Sequence, residues 1–286
     1  MADINRTTTI TLPSEISSEI IADVQQESAI MRLARRVELP GRGLTIPVIT
    51  GDPQAAWVAE TAAKPVSNST LNTKLMQAYK IAVIETVSRE FTRDAAALYD
   101  ELIRRLPAAL ASVFDSTVIG NTQAPGANFD TFAAATAQSF GTDVYAALVA
   151  ADTDIANNGG VLNGFALGAQ GRGALLAAVD GDRRPLFVNN VSEGAIPRVL
   201  GAPVYINKAL YKAASGSDPA VYGIAGDWSA ALYGTVEGVQ IRISDQATLT
   251  SGATTINLFQ QNMIAVLAEI EVGFRADVDK FNLLTA

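Results

Sequence analysis

Hydrophobic and polar positions alternate along this chain with several distinct periods. Residues 1–12 are Thr-rich and polar, with little to bury, and read as an arm. Pro13 and Ser14 then open a helix, with Ser14 as N-cap and Glu15 adding negative charge to its first turn. Ile16, Ile20 and Val24 fall four apart on one stripe, widened by Ile21 and Met31, and Arg32, Arg35 and Arg36 place positive charge at the far end before Pro40-Gly41. So narrow a stripe suits a helix laid along another surface. Leu44–Val48 predicts a short strand, Asp52-Pro53 a turn, Trp57–Glu60 a strand, and Val66–Leu75 a polar strand or loop. Residues 41–79 hold few large side chains, so the expectation is a long hairpin that projects from the body and needs a neighbour to stabilise it.

Beyond residue 79 the pattern becomes that of a body. Lys80–Arg89 predicts a strand with Ile81, Val83 and Val87 on one face. Leu98, Leu102, Leu106, Leu110, Val113, Phe114 and Val118 then recur at three- and four-residue steps, predicting one long helix up to Gly120-Asn121. Pro107 removes a backbone donor inside it, so a kink or restart is expected there. From 122 to 260 helices over 142–158 and 172–179 alternate with short strands at Phe165–Leu167, Gly201–Ile206, Ala220–Ala225 and Val236–Ser244. The last alternation sets Ile270, Val272, Phe274 and Val278 against Glu269, Glu271, Arg275 and Asp277, predicting a long closing strand. Strands and helices mix without strict βαβ repeats, which favours α+β over a doubly wound sheet.

Composition narrows the chemistry. The 286 residues contain no Cys and no His. That excludes disulfides, thiolate nucleophiles, His general bases and zinc sites built on these ligands. No apolar run approaches the ~18 residues of a membrane span, and the N-terminus lacks a secretory layout. Hydrophobic residues reach 49% and charged residues only 17%, a balance suited to burying surface against partners. The net charge of −8 argues against gripping nucleic acid, because phosphate contact is driven by Lys and Arg.

The order of arm, projecting hairpin, long helix, mixed body and closing strand resembles the HK97-fold major capsid protein of tailed double-stranded DNA bacteriophages. Trp57-Val58-Ala59-Glu60, then Lys64-Pro65-Val66-Ser67, leading into Tyr79–Ala82 and Ser88-Arg89-Glu90, is similar to that family's extended loop returning to its peripheral domain. Gly181–Phe187, Gly201-Ala202-Pro203-Val204 and Tyr222–Trp228 are similar to motifs of its axial domain. The resemblance implies an N-terminal arm with helix at 1–40 and an extended β-hairpin loop at 41–79. It implies a peripheral domain at 80–135 and 262–286, with a spine helix over 93–119 and the closing strand, and an axial domain at 136–261. It further implies hexamers and pentamers of this chain assembled into an icosahedral head, in the virion after assembly in the host cytoplasm. The head encloses double-stranded DNA without sequence-specific binding. A separate scaffolding protein, a portal and a cement protein are the other partners expected; no cofactor, metal, membrane or catalytic residue is.

The expected inter-subunit contacts are Arg32, Arg35, Arg36, Trp57, Glu60 and Lys64. For Trp57 two readings stay open, a local anchor under the hairpin or an aromatic contact on a neighbouring subunit. The arginines read as a helix-end feature or as inter-subunit ion pairs. Two rival functions are an encapsulin-type compartment enclosing cargo protein, and a carboxylate-based hydrolase. The second draws on Glu269/Glu271 and Asp277/Asp279, each two apart and so on one face of a strand; a solvated strand face explains them more cheaply. Gly168, Gly171 and Gly173 precede a helix but match no phosphate-loop spacing, and Asp180-Gly181-Asp182 reads as a turn.

Overall fold

The structure, a computed structural model, describes residues 28–286 except 42, 50–54, 59–63, 65, 67–70, 91–95, 142, 181, 188–197, 217, 237–238 and 252–253. Its first helix, α1 (Ala29–Leu33), leads into strand β1 (Arg35–Glu38) and the pair β2 (Leu44–Ile49) and β3 (Leu71–Met76). Strand β4 (Tyr79–Ser88) precedes the long helix α2 (Ala96–Val118). After it come β5 (Thr136–Ser139), α3 (Val144–Asn157), β6 (Gly164–Leu167) and α4 (Ala169–Ala177). The short strands β7 (Arg198–Val199), β8 (Ala202–Ile206), β9 (Val221–Gly226), β10 (Ala231–Thr235) and β11 (Gln240–Ser244) follow. The chain closes with β12 (Thr248–Ser251), β13 (Thr254–Asn257), β14 (Met263–Ala276) and β15 (Phe281–Thr285).

Two larger sheets organise most of these elements, and among the described residues β2-β3 and β12-β13 form two-stranded sheets of their own. In the first, β14 is the central strand. It carries β4 along one edge, from Met263 opposite Ser88 to Val272 opposite Tyr79. Its other edge is shared by β11 and β10, and β1 adds to β10 in parallel. The second sheet runs β5-β15-β9-β6-β8-β7. The α+β expectation holds. Strand pairing crosses the segment limits read from the sequence: β10 and β11 pair with β14, while β15 pairs with β9.

One aromatic chain joins the two layers. Phe274 of β14 meets Phe114 of α2 and Phe132 edge-on, and Phe132 continues to Phe281 and Trp228 at centroid distances of 4.5 and 6.0 Å. Such pairs add about 0.5–1.5 kcal/mol each beyond the area they bury. Of the helix expected over 93–119, residues 93–95 lie outside the described residues; Ala96–Val118 is helical as α2, running through Pro107, with Leu106, Leu110, Phe114 and Val118 buried along one stripe.

Three expectations are corrected. Arg35 and Arg36 do not end a helix. Ser28 caps α1, Ala34 turns extended, and the arginines lie on β1 beside β10. Pairing partners override local charge here: Leu39 reaches so far over Gly234 that a Cβ there would come within 2.4 Å of it. The part of the expected helix over 14–27 lies outside the described residues. Next, Trp57 and Val58 are not in a strand, and Ala59 and Glu60 lie outside the described residues. Finally, the closing strand is two strands. β14 stops at Ala276, a single 3-10 turn spans Val278–Lys280, and β15 joins the other sheet because Phe281, Leu283 and Leu284 are buried there. Asp277 and Asp279 therefore sit at a turn, not on a strand face.

Candidate functional site

The hairpin β2–β3 is joined to neither of the two larger sheets. Among the described residues β2 and β3 pair only with each other, from Leu44 opposite Met76 to Ile49 opposite Leu71. Beyond the ladder Trp57 is fully exposed and Val66 nearly so (relative exposure 105% and 89%). Lys64 is also exposed; Glu60 lies outside the described residues.

What the tip lacks in contacts, the root has. Met76 is completely buried. Arg275, at the end of β14, donates from Nε and Nη2 to the carbonyl of Leu75 at 2.8 and 2.6 Å. The same guanidinium donates to Asp130 Oδ1 at 2.6 Å and Asn128 Oδ1 at 3.0 Å, and Asp130 Oδ2 accepts from the Ala276 amide. Lys74 Nζ donates to the Ala276 carbonyl at 3.3 Å. Gly273 allows this approach, since a Cβ there would stand 2.6 Å from the Gln77 carbonyl. Arg275 was legible only as a polar-face residue, and nothing in the spacing pointed to Asp130 or Asn128.

The three arginines are separated. Arg32 is exposed on α1 with its guanidinium 5.7 Å from the Tyr205 ring centroid. Arg36 donates to Thr235 Oγ1 at 3.5 Å, and Arg35 is exposed on β1. Burial raises the Tyr233 hydroxyl above its ordinary range, partly opposed by the charge of Arg36.

The acidic pairs have structural occupations. Glu269 lies 3.4 Å from Lys80 and 3.5 Å from Arg242, and Lys80 also reaches Glu271 at 3.5 Å. A cleft of about 710 Å³ beside α3 and α4 holds Asp143 and Asp180. Asp143 accepts from the Ala146 amide as an N-cap, and Asp180 accepts from the amides of Asp182 and Arg184, the expected turn. Gly171 packs on the Tyr222 backbone, which accounts for the glycine as helix-to-strand contact. Among the described residues no cluster of three or more carboxylates is placed to hold a metal.

One buried acid escaped sequence reading altogether. Asp115 is fully buried on the apolar stripe of α2 and accepts from Ser28 Oγ at 2.5 Å, the Ala29 amide at 3.0 Å and Asn207 Nδ2 at 2.8 Å. Its signal was present: Asp115 is four residues from Ala111 and from Ile119, both buried.

The model of the Phage capsid family matches residues 8–280. The "Probable major capsid protein gp17" of Mycobacterium phage L5 is 29% identical over 300 residues, covering 96% of this chain and 89% of the relative. The "Major capsid protein" of Staphylococcus phage 80alpha is 25% identical over 283 residues, covering 94% and 83%. A solved structure from Mycobacterium phage Ogopogo superposes with a TM-score of 0.75 at 17% identity, covering 90% of this chain and 91% of the other, so the fold is shared. With nearly its whole length matched, the chain belongs to the Phage capsid family.

Proposed function

We propose that this chain is a major capsid protein whose copies assemble as hexamers and pentamers into an icosahedral phage head around double-stranded DNA. The observation that carries the reading, beyond family membership, is the contrast within the hairpin: a root fixed by Arg275 and, beyond the ladder, a Trp57 left uncovered among the described residues. Leaving an indole in water forgoes a burial worth roughly 1.5–3 kcal/mol for a large apolar side chain, which a neighbouring copy recovers. The tip of one subunit lying on the body of the next is a head-to-tail contact, and such contacts close into rings.

In this reading the β14 sheet with α2 forms the peripheral part and the β9 sheet the axial part. Arg32, Arg35, Glu60 and Lys64 lie at the contact between copies. The acidic balance keeps the inner wall from gripping a genome that must enter and leave. A scaffolding protein, portal and cement protein complete the partners, with assembly in the host cytoplasm. The chain does no chemistry, and Glu269 and Glu271 serve the sheet face through Lys80 and Arg242.

Electron microscopy of the purified chain, alone and with a candidate scaffold, tests this. Closed shells are expected, and monodisperse monomers under both conditions would overturn it. Double-stranded DNA and a portal in native particles are expected, whereas a cargo enzyme would mark an encapsulin-type compartment instead.

A further inference from the structure

Asp115 is a carboxylate at the junction of three parts of the chain that are remote in sequence. It stands on α2; Ser28 and Ala29, 87 and 86 residues away, begin α1; and Asn207, 92 residues away, caps the 3-10 turn Lys208–Leu210. The node is dry, since Ser28 and Asp115 are both fully buried. Among the described residues it is also without a counter-charge. The charged residues on the two elements that reach it are Arg32 of α1 and Lys208 beside Asn207; both are exposed, and Arg32 lies over Tyr205. The strands β4 and β14, which also pack on α2, carry Lys80, Glu85, Glu269, Glu271 and Arg275, of which Lys80 pairs with Glu269 and Glu271 and Arg275 with Asp130. The partners that reach Asp115 are neutral donors. A buried carboxylate without a cation favours its neutral form, because desolvation penalises the charge more than neutral hydrogen bonds recover.

We propose that the Ser28–Asp115–Asn207 node is a proton-controlled latch that holds the start of α1 onto the long helix. Protonated, Asp115 sits in the dry site at little electrostatic cost and keeps its contact with the Ser28 hydroxyl. Ionised, it is a charge the site does not balance, and the α1 end opens more often to hydrate it. Burial pushes the carboxyl up to about 7 from 3.8, with the hydrogen bonds from Ser28, Ala29, Ile30 and Asn207 opposing it.

The sign follows from linkage. The open state binds its proton only below about 4 and the closed state up to about 7, so opening becomes easier with rising pH, by about tenfold per unit between these values, then levels off. The composition makes the window unusually clean. With no His and no Cys, the chain has no ordinary side chain titrating between about 5 and 8. Only the terminal amine shares part of that range, at about 7.7–8.0.

The test is amide hydrogen exchange of Ala29–Ala34 in the full chain at pH 5, 6, 7 and 8. Each rate is divided by that of the Asp115→Asn variant at the same pH, so that intrinsic exchange chemistry cancels. The ratio is expected to climb about tenfold per unit from pH 5 towards 7 and flatten above it. Ser28→Ala should raise exchange at every pH while keeping the slope. A ratio that stays flat from pH 5 to 8 overturns the proposal. Should Asp115→Asn fail to fold, urea unfolding of the unaltered chain at pH 6 in weak buffer decides: release of close to one proton is expected, and none would sink the latch. These readouts are internal to one chain and are independent of whether shells form.

Discussion

The two tryptophans of this chain sit in opposite surroundings. Trp228 is 2% exposed, donates its indole N–H to the Gly164 carbonyl at 2.9 Å, and meets Phe281 and Phe132 edge-on. Trp57, on the hairpin, is wholly in water. The same side chain thus serves a finished core in one place and stands on an exposed surface in the other. The difference lies in the neighbours that the sequence supplies. Trp228 follows Asp227, whose carboxylate accepts from the Val161 amide, Asn163 Nδ2 and Ser229, fixing the turn that carries the indole inward. Around Trp57 are alanines, and none of its described neighbours is large enough to cover an indole.

The sharpest way to break this comparison is to truncate the inner tryptophan. Trp228→Ala should cost about 3–5 kcal/mol of protomer stability, the range for deleting a buried aromatic. Urea unfolding reads it directly. A loss under 1 kcal/mol would mean that the aromatic chain through Phe132 and Phe281 does not hold the two sheets together.

The next largest effect is expected at the hairpin root. Arg275 and Asp130 are largely buried, at 11% and 20% side-chain exposure, and 2.6 Å apart. Arg275→Ala leaves Asp130 without its cation and the Leu75 carbonyl without its donors, at about 2–4 kcal/mol. Arg275→Lys should recover only part of this, because an ammonium cannot span Leu75, Asp130 and Asn128 as a planar fork does. Limited proteolysis within residues 41–79 should quicken in both variants, more in the first.

Asp227→Ala should follow at about 2 kcal/mol, from a lost cap with several partners. Burial raises this carboxyl, but hydrogen bonds from Ser229 and Val161 and the charge of Lys280 outweigh it and hold the group below its ordinary 3.8. Its contribution is therefore present above 3.8 and fades as pH falls through the folded value. The unfolding curves of variant and parent should draw together in strong acid.

How much of this could be read beforehand depends on whether the cause is local. The long helix was legible because Leu106, Leu110, Phe114 and Val118 carry their own period, and β4 and β14 because alternating residues face one core. The strand β10 went unread because Ala231, Gly234 and Thr235 have little hydrophobic contrast; its identity comes from the strands either side of it. The same holds for the break at Ala276: the alternation continues, and only burial of Phe281 in the other sheet explains the turn. At the site, Trp57 could be singled out because a large residue stood in a stretch of small ones. The root clamp could not, because Arg275 and Asp130 are 145 residues apart and each looks like a surface charge.

The smallest effect is expected where the side chain is largest. Trp57→Ala, in the unassembled chain, should change unfolding free energy by no more than about 0.5 kcal/mol, as for a surface position without special contacts. A loss of 2 kcal/mol or more would show that the indole already has an intrachain partner, removing the physical reason for the hairpin to seek one on a neighbour. If the change stays near zero while shell yield falls in the same variant, the stabilising energy of this residue exists only between copies. The comparison then becomes quantitative: Trp228 is measured by unfolding one chain, Trp57 by separating two.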